Sequence, residues 1–172
     1  MKQKKPNTKK QADKIVFVQD LKGTTHPISL TTVDAVHPAL KKYFCYCLYK
    51  ATNQIKIAFE LALTPFRFQT LHFGILCILE TENNLTQHEV GDLMGIDKAS
   101  MVKLIDHLES LKIVERLSGS DRRCKMLHLT PHGKTVLTKA KEAVFKAEKI
   151  FMKNLSDEEQ DLIRLVLPKT LS

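Results

Sequence analysis

The apolar positions along the chain change their repeat several times, and each change marks an element. Between about residues 34 and 63 they fall at Leu40, Phe44, Cys47, Leu48, Ala51, Ile55, Ala58, Phe59 and Ala62. Spacings of three and four put them on one face of a helix. Such a helix is longer than the usual ~11–12 residues. Its stripe needs a surface to pack on, and an oligomer interface is one solution. Thr64-Pro65 breaks the pattern. Residues 70–81 are apolar almost all round, as in a central helix. The stretch "LTQHEVGDLMG" opens on a capping box, Thr86 with Glu89, and stops at Gly95. Only Ile96 separates it from the next cap, Asp97. Two helices so closely joined predict a helix-turn-helix. The second, about residues 98–111, would bury Met101, Leu104, Ile105, Leu108 and Leu111. At ~100° per residue it would present Ala99, Val102, Lys103 and Asp106 on the other side.

The repeat then shortens. Residues 113–117 ("IVERL") and 125–130 ("KMLHLT") predict two strands around a loop. Thr130 caps a further helix with Pro131 at its first position. That helix runs to about Asn154, with Val136, Leu137, Ala140, Val144, Ala147 and Phe151 on one side. Ser156 and Glu159 form another capping box, opening a last helix to about Leu167 that Pro168 ends. Residues 1–14 are expected to be disordered, and 15–31 hold a short strand or arm. The fold class is mainly α with a small β-hairpin. A winged helix-turn-helix over residues 64–130 is flanked by helices of a dimerisation region, 34–63 and 131–172. A basic, partly disordered extension occupies residues 1–33.

Composition narrows the setting. The 172 residues are 43% hydrophobic, enough for one domain with a real core. No apolar run approaches the ~18–20 residues of a membrane span, and no apolar signal core follows the Lys-rich start. A soluble cytoplasmic protein is expected, with Cys45, Cys47, Cys77 and Cys124 as reduced thiols. The net charge of +8 suggests a polyanionic partner. Six lysines against one aspartate in residues 1–14 contribute +5 of it, leaving +3 for the rest. Charge alone therefore does not settle function. The tail is either solvated or a source of nonspecific attraction to phosphates.

The order of elements says more. A helix-turn-helix followed by a two-stranded hairpin is a winged helix, whose second helix can enter the DNA major groove. The hairpin loop, "SGSDRRC", would then carry Arg122 and Arg123 to the adjacent phosphates or minor groove. Asp121 would hold an arginine in one geometry.

At these residues the chain resembles the MarR (multiple-antibiotic-resistance regulator) family, over about residues 36–170. "LTQHEVGDLMGIDKASMVKLIDHLESLKIVER" resembles its helix-turn-helix. "DRRCKMLHLTPHG" resembles its wing signature, an acidic-basic-Arg triplet followed by Leu-Thr and a Gly. "LSDEEQDLIRLVL" resembles its last helix. The resemblance implies a homodimer with first and last helices interlocked. It also implies a pseudo-palindromic operator, commonly repressed, with release by a small aromatic ligand or by cysteine oxidation. Two departures stand out. Lys112 replaces the family's usual Gly, which costs about 1 kcal/mol if φ is positive there. The loop from Arg116 to Asp121 is shorter than usual and lacks the common Pro.

The candidate DNA contacts are Thr86, Gln87, Lys98, Ala99, Ser100, Val102, Lys103, Arg116, Ser118, Asp121, Arg122 and Arg123. Lys103 would reach guanine or phosphate, and Val102 a thymine methyl. Thr86 and Gln87 suit a phosphate at a helix N-terminus. Arg116 either braces the base of the wing or touches phosphate. Asp106 accepts from cytosine or pairs with Lys103. The bland alternatives are a solvated turn and an ordinary solvated helix face. Tyr43, Tyr46, Phe68 and His72, with Tyr49, Phe66 and Phe73, are either core and dimer packing or an aromatic-lined effector pocket. Cys45 and Cys47 are either buried small hydrophobes or redox sensors; two apart on a helix, they do not pair within one chain.

No cofactor or metal is expected, because no Gly-rich phosphate loop, metal motif or nucleophile elbow is present. The expected partners are double-stranded DNA, a second copy of the chain and a small aromatic effector, with no membrane. A thiol-based redox regulator of the same fold is the nearest alternative. A winged-helix protein-interaction module, marked by failure to bind any duplex, and an enzyme, marked by turnover of a simple ester or peroxide, are the other classes.

Overall fold

A computed structural model describes residues 14–19, 25–30, 36–82, 84–118 and 125–170. The segment read as a strand or arm is two strands, β1 (Lys14–Gln19) and β2 (Thr25–Leu30), paired antiparallel with Phe17 opposite Pro27. A short 3-10 turn, Pro38–Leu40, precedes α1 (Phe44–Leu63). The first helix therefore starts later than its apolar stripe suggested. The cause is local: Pro38 opens the 3-10 turn, and Tyr43 is extended (φ −96°, ψ 104°) as the N-cap.

The elements after it are α2 (Thr70–Thr81), β3 (Leu85–Thr86), α3 (Gln87–Met94), α4 (Lys98–Ser110), β4 (Val114–Ser118), β5 (Lys125–Leu129), α5 (Pro131–Phe151) and α6 (Asp157–Val166). Their N-caps are those the sequence marks. The side chains of Thr86, Asp97, Thr130 and Ser156 each accept from the backbone N–H three residues on. Gly95, at φ 63°, closes α3 in the left-handed region. The hairpin is joined by β3, giving the antiparallel order β3-β5-β4. Leu85 lies opposite Leu127, and Arg116 lies opposite Leu127 on the other side. Helix α6 ends at Val166, before Pro168 as expected, and Leu167–Thr170 follows as a 3-10 turn whose early positions need no proline N–H.

One core joins the two halves. Leu63, Ile75, Leu76, Val90, Met101, Ile105, Leu108, Ile113, Leu127, Val136 and Leu137 are all fully buried. Each such side chain contributes roughly 1.5–3 kcal/mol by leaving water. The joint between α4, the sheet and α5 is unusually close. A Cβ on Gly133 would stand 2.0 Å from the Ile113 carbonyl oxygen, so the Gly of the Leu-Thr-x-x-Gly signature is a steric requirement. The Thr130 hydroxyl donates to the Lys112 carbonyl at 2.7 Å, and the Thr130 N–H to Ile113 at 3.1 Å. Lys112 itself sits at φ 57°, the left-handed conformation that a glycine would adopt more readily.

Both ends of the helical arms carry apolar surface. Tyr43, Phe44, Leu48 and Tyr49 are exposed near the start of α1. Leu162, Ile163, Leu165 and Val166 are exposed on α6, which buries none of its residues.

Candidate nucleic-acid interface

The two helices of the turn and the first wing strand enclose a groove of about 710 Å³. Thr86, Gln87, Lys98, Met101, Arg116 and Lys125 are among its lining residues. Four sequence-predicted residues, Thr86, Gln87, Lys98 and Arg116, thus share one cavity. Thr86 and Glu89 form the reciprocal box at the start of α3, with Thr86 N–H on Glu89 Oε2 at 2.7 Å. Those hydrogen bonds hold the Glu89 carboxyl below its usual range. The Asp97 carboxyl is likewise lowered, chiefly by its bonds with Ser100, whose backbone N–H lies 3.0 Å from Oδ1. Ala99, Ser100, Val102, Lys103 and Asp106 all face solvent on α4, while Met101, Ile105 and Leu108 are buried.

Arg116 is the most connected of the candidates. Its guanidinium donates to Asp106 Oδ1 and to Gln87 Oε1, each at 2.8 Å, and to the Glu109 carboxylate. Asp106 is therefore paired with Arg116, not with Lys103 as one sequence reading had it. The correction is geometric, since a half-buried arginine across the sheet offers a fixed fork where an exposed lysine one turn away does not. Gln87 keeps its amide donors but shares its oxygen with Arg116. Ser118 is exposed at the end of β4. Asp121, Arg122 and Arg123 lie outside the described residues, as does Cys124.

The proposed aromatic pocket is not assembled within one chain. Tyr43 and Tyr46 belong to the start of α1, where Tyr46 lies near Tyr49, ring centroids 6.5 Å apart. Phe66 and Phe68 stack at 5.8 Å, buried beyond the other end of α1. A helix of 20 residues separates the groups by about 30 Å. His72, grouped with them, is buried on α2. Its Nδ1 accepts from Gln69 N–H at 3.1 Å, so the ring proton is on Nε2, which has no partner among the described residues. Burial, then the neighbouring His107 ring 4.9 Å away, lower its pKa to about 4. His107, whose Nε2 lies 2.6 Å from the Arg67 carbonyl, escaped the sequence reading because a lone histidine leaves no periodic trace.

Cys45 is exposed, and half-buried Cys47 donates to the Lys41 carbonyl at 3.4 Å. Burial pushes the Cys77 thiol up. Among the described residues, no three His, Cys, Asp or Glu side chains are grouped to hold a metal, and no single helix is long and apolar enough to cross a membrane.

Residues 68–123 match the MarR family model. Over these residues the chain is similar to the MarR family. The match takes in α2, the helix-turn-helix, β4 and the wing sequence. A Thauera aromatica protein named as a transcriptional regulatory protein for the hcr operon is 33% identical over 89 residues. That alignment covers 51% of this chain and 54% of the relative, so the chain spans about half that protein's length. The solved structures share the MarR-like fold. The transcriptional repressor CouR bound to a 23-mer DNA duplex superposes with a TM-score of 0.72 at 24% identity, covering 81% of this chain and 100% of that one. CouR from Rhodococcus jostii RHA1 bound to p-coumaroyl-CoA gives 0.64 at 26% identity, covering 76% and 93%.

Proposed function

We propose that the chain is a homodimeric, sequence-specific DNA-binding transcriptional regulator of the cytoplasm. In this reading it represses from a pseudo-palindromic operator and is released by a small aromatic ligand. The observation that carries it is the solvent-facing stripe of α4. Ala99, Val102 and Lys103 stand clear of the core, next to a groove shared with α3 and the wing strand. Small and basic side chains let a helix approach base edges and phosphates. The DNA-bound CouR, a repressor, shares the fold and so supports the reading.

Dimerisation is supported by α6 and the start of α1, whose apolar side chains are left exposed by the described residues. Exposed patches of this kind mark interfaces. The effector part rests on His72. Its buried Nε2–H would be satisfied by a ligand carrying an acceptor. The CoA thioester bound by CouR is that protein's own ligand and serves here only as precedent for a small effector.

Light scattering tests assembly, with a mass of about 39 kDa expected, twice 19.6 kDa. Fluorescence anisotropy with a duplex selected from a random library tests DNA binding. Affinity should fall steeply with salt, and Lys103→Ala should weaken it. Arg123→Ala should flatten the slope of log K against log salt by up to ~0.9 per subunit if Arg123 neutralises a phosphate. A stable monomer, or no salt-dependent binding to any duplex, would refute the proposal.

A further inference from the structure

Arg116 stands on β4, yet its guanidinium reaches away from the hairpin. Nη1 serves the Glu109 carboxylate; Nη2 serves Asp106 Oδ1 and Gln87 Oε1, each at 2.8 Å. Glu109 and Asp106 are on α4, and Gln87 opens α3. One side chain thus joins the first wing strand to both helices of the helix-turn-helix.

The chemistry of this node decides what Arg116 can do. Acceptors on two separate helices need donors spread over a planar fork, which arginine has and lysine lacks. The Arg116 side chain is only 19% exposed, so water competes little for these bonds. Two carboxylates face one guanidinium, leaving the node with a net charge of −1. A phosphate would have to displace a carboxylate already in place, against that charge. The node also grips β4 at its middle residue, two residues before the strand ends at Ser118. Those two residues extend about 7 Å at ~3.3 Å per residue, so a swing of ~10° about Arg116 would move Ser118 by about 1 Å, and the loop beyond it by more.

We infer that Arg116, on the DNA-binding reading above, is a positioning residue that sets the pitch of the wing against the recognition helix and does not itself hold a phosphate. Its effect then falls on discrimination between duplexes. Nonspecific binding needs only cations near a phosphate chain, while a specific site must meet α4 and the wing at once.

The test compares wild type, Arg116→Ala and Arg116→Lys by anisotropy across a salt series. One probe is a duplex selected by the wild type from a random library; the other is an arbitrary duplex of equal length. Positioning predicts that both variants lose at least tenfold on the selected duplex. On the arbitrary duplex they should stay within about twofold, with the salt slope unchanged on both. Melting temperatures establish that the variants fold. If Arg116→Ala does not, Glu109→Gln keeps the shape and loosens the node. Weaker selective binding at an unchanged slope is then expected. The inference is overturned if Arg116→Lys binds like wild type while Arg116→Ala flattens the slope by up to ~0.9 per subunit on both duplexes. It is equally overturned if Glu109→Gln tightens binding to both duplexes and steepens the slope. A wild type that selects no duplex and binds none in a salt-dependent way overturns the DNA-binding reading together with this one; the phosphate pattern overturns only the role of Arg116.

Discussion

Replacing His72 with Gln should remove one identifiable part of the acid sensitivity of folding, the part that falls between about pH 7.5 and 5. His72 is 6% exposed, and burial with the nearby His107 lowers its pKa to about 4. An unfolded chain would return it to about 6.5. Between those values the unfolded chain binds a proton that the folded chain refuses, so stability rises with pH there. The contribution is complete above about pH 6.5 and is lost as pH falls toward 4. Taking both pKa values, the wild type should lose about 2 kcal/mol per chain from this group between pH 7.5 and 5. Glutamine does not titrate, and its side-chain oxygen can accept from Gln69 N–H where Nδ1 does now. The variant will pay some packing at neutral pH, but that loss is constant with pH. Urea unfolding at pH 7.5 and 5, at one protein concentration, gives the difference directly. If wild type and variant lose stability in parallel, His72 is not held neutral by the fold and the reasoning fails.

Gly133→Ala should lose roughly 3 kcal/mol or more in urea, because its Cβ meets the Ile113 carbonyl at 2.0 Å and can be relieved only by parting α5 from α4. An unchanged midpoint would show that this close approach is not maintained in solution. Lys112→Gly should raise stability by up to about 1 kcal/mol, since Lys112 holds φ 57°; thermal melts decide it, and a loss would mean that the lysine side chain outweighs its strain. Thr86→Val should remove the capping box at α3, costing about 1 kcal/mol, and speed amide exchange in Gln87–Met94; unchanged exchange would count against it.

Local chemistry made most element boundaries readable. Thr86, Asp97, Thr130 and Ser156 are caps whose partners lie three residues on, so a single sequence displays both halves of each bond. Lys112 stood out only through the family resemblance, which has Gly at that position, and it does hold a positive φ of 57°. What depends on distant residues was not. Strand β3 has two residues, too few to show a repeat, and exists only because Leu127 pairs with Leu85. The Arg116 node joins residues 29 positions apart, Gln87 and Arg116, and nothing in either neighbourhood signals the other. The aromatic grouping went astray in the opposite sense. Tyr46 and Phe68 look close in the chain, but a straight helix between them keeps them apart.

The clamp of α5 onto the end of α4 has a mechanical consequence. Thr130 and Gly133 fasten the start of α5 to Lys112 and Ile113 by hydrogen bonds and by contact, so this joint cannot act as a hinge. The 21 residues of α5 make a lever of about 30 Å rooted in the end of α4. A tilt of ~5° at the root carries the far end about 2.6 Å, and a shift of that size at the far end tilts α4 in return. Whatever spreads or closes the helical arms therefore re-aims α4. The compensating bend must be taken up at the other crossing between the halves, residues 64–69, where Arg67 already stands at φ 64°.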